Sequence, residues 1–295
     1  MQISNNLPII NSYLGARICY SSKHPVEILL EEKVQDKEKL VDFLMKLYKA
    51  QHYSIFSHTP VIINTENFSI KEKLDLATNY FKVFIQKNKA ILNLRHIAEK
   101  TKDKEFREIL ISKNRGTRGL KIQIYIEKGN WNKVFEGSID EIKKYQIPTT
   151  EGIIAQRELI VIKDEVVQDW LVVIAHNYSR VFSHQLIRHT WINFNQRSHR
   201  YTAVDRFVLP PEIETEDEKQ HIIKILEHTY NEYNTLKDRG VKKEVARYII
   251  PQAVATTVIC SAPIFVWNDF INKRIIPQAQ KEIREFAKIL QTMIN

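Results

Sequence analysis

Residues 183–201 read SHQLIRHTWINFNQRSHRY, and this segment is the most informative part of the chain. Three histidines and three arginines lie between positions 184 and 200, interleaved with leucine, isoleucine, tryptophan and phenylalanine. The apolar side chains indicate that the segment is at least half buried. Buried arginine and histidine need partners or an anionic ligand, because an unpaired buried charge is very costly.

The spacing of the polar residues suggests which ligand they bind. Gln185, Arg188 and His189 share a helical face, whereas Ser198 and Arg200 lie on one side of an extended stretch. An amide can pair with a planar base, and guanidinium groups can hold a phosphate. The simpler interpretation is a solvated basic face or an RNA-contacting patch.

The composition narrows the class of protein without choosing a ligand. The 295 residues carry a net charge of +9 and are 43% hydrophobic, which is typical of a soluble globular chain with anionic partners. Neither a GxGxxG nor a GxxxxGK[ST] motif is present, so side chains must hold any phosphate.

Cys19 and Cys260 have apolar neighbours and no CxxC partner, which predicts reduced core cysteines and no metal site. No apolar run approaches the length of about 20 residues needed to span a bilayer, and the N-terminus does not resemble a signal peptide. We therefore expect a cytoplasmic protein without a membrane segment.

Hydrophobic periodicity and turn residues predict the local structure. The predicted elements are a helix over 37–50, a strand or turn over 55–64, a helical stretch over 70–112, a β-rich run over 121–127, a helix near 138–144, strands over 159–162 and 170–175, a helix over 217–238 stopped by Gly240, a helix from Lys242 that Pro251 kinks or ends, and a final helix from about 277.

Three separated blocks carry a family resemblance. The first block matches two motifs. SRxxSHQLxRH is matched by Ser179-Arg180, Ser183 to Leu186 and Arg188-His189, and NQxSxRY is matched by Asn195-Gln196, Ser198 and Arg200-Tyr201. The second, upstream, is Ala16 to Tyr20 with His52-Tyr53-Ser54 and His58. The third supplies Arg247 in GVKKEVARYIIP and Arg274 in FINKR. Together, and in this order, they resemble the flavin-dependent thymidylate synthases, with a diverged flavin-binding half.

This resemblance implies an α+β fold, a central β-sheet flanked by helices, and a homotetramer whose active sites draw on several subunits. It implies methylation of dUMP to dTMP with methylenetetrahydrofolate, FAD and NADPH. It also implies that no protein cysteine attacks the uracil. The positions that match dUMP-binding residues are Gln185, Ser198, Arg200, Arg247 and Arg274. Arg274 and Ser198 match catalytic positions. The positions that match FAD-binding residues are His58, Arg188, His189, Asn195 and Gln196.

The flavin half departs from the family pattern. Thr190 stands where the family has the last arginine of an Arg-His-Arg triplet, and Ser57 replaces a glutamate. Pro263 and Phe265 occupy the positions of an asparagine and an arginine, and Gln278 that of a histidine. Loss of two charge-assisted contacts to a pyrophosphate cofactor should cost on the order of 3 kcal/mol.

An insertion is the other departure. Residues 1–64 and 165–295 are predicted to form the family domain, and residues 65–164 an inserted α/β subdomain. Within this insertion, residues 93–96 (Asn-Leu-Arg-His) weakly match the missing Asn-x-Arg motif, although a surface helix explains these residues as well.

Three interpretations follow. The chain is an active synthase, or a homologue that binds a pyrimidine nucleotide and has lost flavin chemistry, or a nucleic-acid-binding protein. The last is disfavoured because the matching arginines lie in three distant blocks, as a folded nucleotide pocket requires. Binding of a yellow chromophore would discriminate between the first two.

Overall fold

A five-stranded sheet forms the centre of the computed structural model, which describes residues 2–5, 9–79, 81–100, 145–148, 152–164 and 169–294. The strand order is β1-β5-β6-β8-β7. These strands are β1 (Gln2–Asn5), β5 (Glu158–Asp164), β6 (Trp170–Ser179), β8 (Ala255–Pro263) and β7 (Asn193–Gln196). β1 runs parallel to β5, and the other neighbours are antiparallel. The predicted α+β class is confirmed.

The central sheet separates two hydrophobic cores, and the alternation of side chains in its strands explains why. In β6, Trp170, Val172 and Ile174 face one core, while Leu171 and Val173 face the other. Every residue of β6 and β8 is buried. Strands covered on both faces read as continuous apolar runs, which accounts for the sequence WLVVIA.

Different elements cover the two faces of the sheet. Residues of α1 (Ile9–Tyr20), α4 (Lys37–Lys49) and a second, three-stranded sheet form the first core. The second sheet has the order β2-β4-β3, with β2 at Pro60–Asn64, β4 at Lys89–Asn93 and β3 at Phe84–Gln86. The opposite core is closed by α7 (Arg180–Leu186), α10 (Ile264–Arg274) and α11 (Lys281–Ile294).

A third, smaller core lies under the longest described helix, α8 (Glu216–Asp238), and contains Phe207, Leu226 and Tyr233. The remaining helical elements are α2 (Pro25–Leu29), α3 (Glu32–Gln35), a 3₁₀ helix (Tyr53–His58), α5 (Ile70–Asn79), α6 (Leu94–Lys100), α9 (Lys243–Ala246) and a second 3₁₀ helix (Arg247–Ile249). Among the described residues, no helix is long and apolar enough to cross a membrane.

Most predicted elements are confirmed, and two need correction. The helical stretch over 70–112 is wrong in its middle, where the strands β3 and β4 form a hairpin between α5 and α6. Its turn holds Lys87 at a φ of 41°, which no helix tolerates. The helix from Lys242 ends before Pro251, as predicted, because helical geometry is disfavoured at the residue that precedes a proline. The last helix begins at Lys281, after Pro277. The elements predicted over 121–127 and 138–144 lie outside the described residues.

The described part of residues 65–164 is joined to the rest by backbone pairing. β4 pairs with β2 along Pro60–Asn64, and β5 lies between β1 and β6 in the central sheet. Residues 158–164 thus share the sheet of the family domain. The division into a family domain and an inserted subdomain stays a prediction.

Gly240 follows the end of α8 with a φ of 84°, as its predicted role as a helix stop requires. We expect Gly240→Ala to lower the free energy of unfolding by about 1 kcal/mol, because a Cβ is strained in the left-handed region. Gly240→Asn should cost less, because asparagine tolerates this conformation better. Urea denaturation of the three proteins measures both effects, and equal stability of all three would contradict the argument.

Candidate functional site

One group of the predicted nucleotide-binding residues lies where α7 and α10 end. Arg274 at the end of α10 donates from Nη2 to the Gln185 carbonyl at 3.3 Å and from Nε to His189 Nε2 at 3.0 Å. The Gln185 side-chain amide donates to the Gln280 side-chain oxygen. Arg274 therefore forms one cluster with Gln185 and His189, which precede it in the chain by 89 and 85 residues.

The charge state of His189 follows from this contact. Burial and the neighbouring Arg274 lower the pKa of His189 to about 4. The ring is therefore neutral near pH 7, with its Nε2 lone pair accepting from Arg274. This contact orients the guanidinium of Arg274.

The other predicted nucleotide-binding residues lie at a second place. The Ser198 N–H donates to the Cys19 carbonyl at 3.0 Å, and Arg200 Nε donates to Glu244 at 2.6 Å. Arg247 is exposed and lines a cleft of about 260 Å³. Among the described residues, no hydrogen bond or ion pair joins this group to the cluster around Arg274. The two predicted catalytic residues, Arg274 and Ser198, thus belong to different groups within one chain.

The cleft beside Arg247 contains three polar residues that the prediction did not assign to a site. Arg180, His199 and Gln252 line it together with Arg247. The Arg180 N–H donates to the Gln252 carbonyl at 3.0 Å, which fixes the start of α7 against the loop before β8. Burial and the neighbouring Arg247 lower the pKa of Arg180. Arg180 lies in the SRxxSHQ block and His199 in the dense polar segment, so both could have been found there.

His58, a predicted flavin contact, is completely buried. Its Nε2 donates to Asn195 Oδ1 at 2.9 Å, and its Nδ1 accepts from Ser261 Oγ at 2.9 Å. A Cβ on Gly15 would lie 2.8 Å from His58 Cδ2, so only glycine allows α1 to approach this ring. Burial lowers the pKa of His58 to about 4. Both ring nitrogens are engaged within the protein.

Asn195 and Gln196 are also engaged by internal contacts. Asn195 Nδ2 donates to Cys19 Sγ at 3.4 Å and to Ser54 Oγ at 3.3 Å. Gln196 Nε2 donates to Ser183 Oγ at 3.0 Å and to Thr256 Oγ1 at 3.1 Å.

The remaining two predicted flavin contacts are Arg188 and His189. Arg188 is exposed and has no ion-pair partner in the described part of the chain. His189 is half-buried. Arg188 is therefore the most accessible of the predicted flavin contacts.

The hairpin at residues 81–93 packs against Trp191 and Phe265, close to residues that depart from the family's flavin-binding pattern. Trp191 stacks on Phe81 at 5.5 Å between ring centroids, and Phe265 meets the edge of Phe84 at 5.2 Å. Lys82 Nζ donates to the Ile192 carbonyl at 2.6 Å and lies 5.9 Å from the centroid of Phe194. Burial, and after it the charge of Arg95, lower the pKa of Lys82 to about 8.

Asn93 and Arg95, which resemble the missing Asn-x-Arg motif, both contact neighbours in the chain. The Asn93 side chain accepts from the His96 N–H at 3.3 Å, and Arg95 pairs with Glu99 on the surface at 2.7 Å. Arg95 is exposed on α6, whereas Asn93 and His96 are buried, so a surface helix accounts for Arg95 alone. Lys82 is a second cation of this region, close enough to Arg95 for that charge to lower its pKa.

Two further departures lie in the same region. Ser57, which replaces a glutamate, donates its hydroxyl to the Ser54 carbonyl at 2.6 Å. Thr190, which replaces an arginine, is exposed.

The thiols of Cys19 and Cys260 are free, and burial raises the pKa of both. Among the described residues, no cluster of histidine, cysteine or carboxylate side chains could hold a metal ion.

Comparison with known proteins extends the resemblance. Residues 171–295 match the family of the thymidylate synthase complementing protein. A flavin-dependent thymidylate synthase of Pyrococcus furiosus is 37% identical over 123 residues, which cover 39% of this chain and 50% of that protein. The enzyme of the same name from Sulfolobus acidocaldarius is 36% identical over 113 residues, 37% of this chain and 43% of that protein. The chain spans about half the length of the curated relatives it matches.

Among solved structures, a UMP/dUMP methylase of Streptomyces cacaoi matches with a TM-score of 0.37 and 20% identity over 42% of this chain and 66% of that chain. The resemblance to the flavin-dependent thymidylate synthases, which the motifs indicated, is confirmed over residues 171–295.

The buried histidines predict acid sensitivity. The pKa of His58 is about 4 in the folded protein and about 6.5 in an unfolded chain, so the unfolded state binds the extra proton between these values. This contribution to stability is complete above about pH 6.5 and is lost as the pH falls towards 4. His58→Asn should be less stable at pH 7 and should show a pH slope smaller by about 1.4 kcal/mol per pH unit near the middle of the window.

Urea titrations between pH 4 and 7 measure this slope. His228→Asn is the control, because His228 is exposed on α8. Equal slopes in wild type and His58→Asn would refute the assignment of a neutral buried His58.

Proposed function

We propose that the protein methylates dUMP to dTMP, with methylenetetrahydrofolate as carbon donor and FAD and NADPH as the reducing system. The observation that carries this proposal is the cleft lined by Arg180 and Arg247. Neither guanidinium makes an ion pair in the described part of the chain, so two positive charges are available to a ligand. A nucleotide 5′-phosphate is a dianion near pH 7 and matches that charge.

Arg274 has the second role in the proposal. A methyl transfer to C5 of uracil builds negative charge on the ring, and a guanidinium near the carbonyl oxygens stabilises that charge. Arg274 uses Nε and Nη2 for His189 and the Gln185 carbonyl. Its remaining donors are free to contact a base, which the Gln185 amide can also approach.

The proposal includes a homotetramer. The cluster around Arg274 and the group around Arg247 share no direct contact among the described residues of one chain, although the resemblance assigns both to one nucleotide. A site that combines the first cluster of one subunit with the second group of another resolves this separation. We also propose a cytoplasmic location, where the nucleotide and folate substrates are produced.

Only part of the predicted flavin set fits the cofactor. Arg188 and His189 would hold it, and when bound it would carry reducing equivalents to the transferred carbon. His58, Asn195 and Gln196 are committed to internal hydrogen bonds and would form the wall behind it. Lys82 adds one cation on the side where Thr190 lacks one.

A second candidate function follows from the same observation. The covering hairpin and the engaged polar residues favour a homologue that binds a pyrimidine nucleotide without using flavin. We rank it second because Arg188 stays exposed and Lys82 partly restores the lost charge.

We expect Arg247→Gln to weaken dUMP binding by about tenfold or more, because it removes a charge-assisted contact to phosphate. Isothermal titration calorimetry of dUMP into both proteins measures the loss. Arg239→Gln is the matched control, since Arg239 is an exposed arginine at the end of α8. Equal dUMP affinity in Arg247→Gln and wild type would remove the main support for the proposal.

Flavin use is tested separately by the absorbance spectrum of the purified protein, followed by titration of FAD with and without dUMP. A flavin band or tight FAD binding supports the synthase. Binding of dUMP without any FAD binding contradicts the synthase and selects the nucleotide-binding homologue.

A further inference from the structure

His199 is a buried histidine without any hydrogen bond to the ring in the described part of the chain. The residue is only 5% exposed, and neither ring nitrogen, Nδ1 or Nε2, has a hydrogen-bond partner among the described residues. A neutral imidazole carries one N–H donor and one acceptor, and a buried polar atom without a partner costs about 1–3 kcal/mol. Such a cost in the wall of a cleft suggests that a ligand supplies the missing partner.

The charges around His199 identify the kind of ligand. Arg180, Arg197 and Arg247 lower its pKa, after burial as the main cause, and only Asp205 acts in the opposite direction. The ring is therefore neutral near pH 7, with a pKa of about 4. A cation would be repelled from this place, whereas an anion is attracted to it.

The nearest arginine is already satisfied within the protein. Arg197 donates to Thr202 Oγ1 at 3.1 Å and to the Ala203 carbonyl at 2.8 Å, and it pairs with Asp205 at 3.0 Å. Arg180 and Arg247 line the same cleft as His199 and have no carboxylate partner among the described residues. The available charge is thus that of two guanidinium groups, which suits a dianion.

We propose that His199 is a phosphate-binding residue that donates an N–H to the 5′-phosphate monoester of the nucleotide held by Arg180 and Arg247. The inference rests on the proposed function for the identity of the nucleotide. A half-turn of the ring exchanges its nitrogen and carbon edges, and it breaks no hydrogen bond because neither nitrogen has one. The ring thus lies ready to turn a donor towards the cleft when phosphate enters.

The experiment compares dUMP with deoxyuridine, which lacks the phosphate. His199→Phe keeps a ring of similar size and removes both nitrogens, whereas His199→Gln keeps a donor. We expect His199→Phe to weaken dUMP binding about tenfold and to leave the affinity for deoxyuridine unchanged, because the lost bond is made to a charged group. His199→Gln should stay within about threefold of wild type for both ligands, since its amide N–H replaces the lost donor.

Two controls show whether a loss of affinity is specific to the His199 ring. His221→Gln alters an exposed histidine on α8 and should change neither affinity. Thermal denaturation of each variant shows that it folds, and His199→Gln keeps the test open if His199→Phe does not.

Each contrary outcome has one meaning. Unchanged dUMP affinity in His199→Phe, or equal losses for dUMP and deoxyuridine, would overturn the role of His199 and leave the proposed function intact. Equal dUMP losses in His199→Gln and His199→Phe would overturn donation by the ring. Failure of the wild-type protein to bind dUMP would overturn the proposed function itself.

Discussion

The hydrogen bonds of the buried His58 ring connect the parts of the protein on which the site depends. The ring joins the 3₁₀ helix at Tyr53–His58 to β7 through Asn195 and to β8 through Ser261. It also packs against Gly15 of α1. A neutral imidazole has one donor and one acceptor, and each finds a partner here, so the ring can be buried without a charge. These contacts hold together residues 15, 58, 195 and 261, which are far apart in the sequence.

The central sheet then determines where the polar residues lie. β6 is buried on both faces until it ends at Ser179, where the hydroxyl accepts from the Phe182 N–H at 2.9 Å and caps α7. Glu282 of α11 accepts from the Ser179 N–H at 3.0 Å, which fixes the same corner from the other side. Because α7 begins at this corner, Arg180 lies at one end of the helix and Gln185 near the other. This explains how one short helix contributes to two separate groups of proposed nucleotide-binding residues.

The hairpin between α5 and α6 changes the chemistry beside β7. Phe81 and Phe84 cover Trp191 with apolar surface, and Lys82 contributes a single, partly desolvated cation there. In this environment an unpaired charge lowers stability, and the Ile192 carbonyl stabilises the Lys82 ammonium by accepting a hydrogen bond from it. The covering hairpin and the altered residues Thr190 and Phe265 belong to one local change on the proposed flavin side.

The sequence by itself determined the helices over 37–50 and 217–238 and the motifs, because periodicity and fixed spacing are local properties of the chain. The α+β class followed from the family resemblance that those motifs carry. The sequence also indicated Gln185, Arg247 and Arg274 as residues of one functional class. Only the tertiary structure decided that His58, Asn195 and Gln196 are internally bonded and that Lys82 lies beside Ile192 and Phe194. It also decided that His199, which shares a cleft with Arg180, has no partner for its ring among the described residues. Burial and hydrogen-bond satisfaction depend on contacts between residues far apart in the chain, and no local pattern records them.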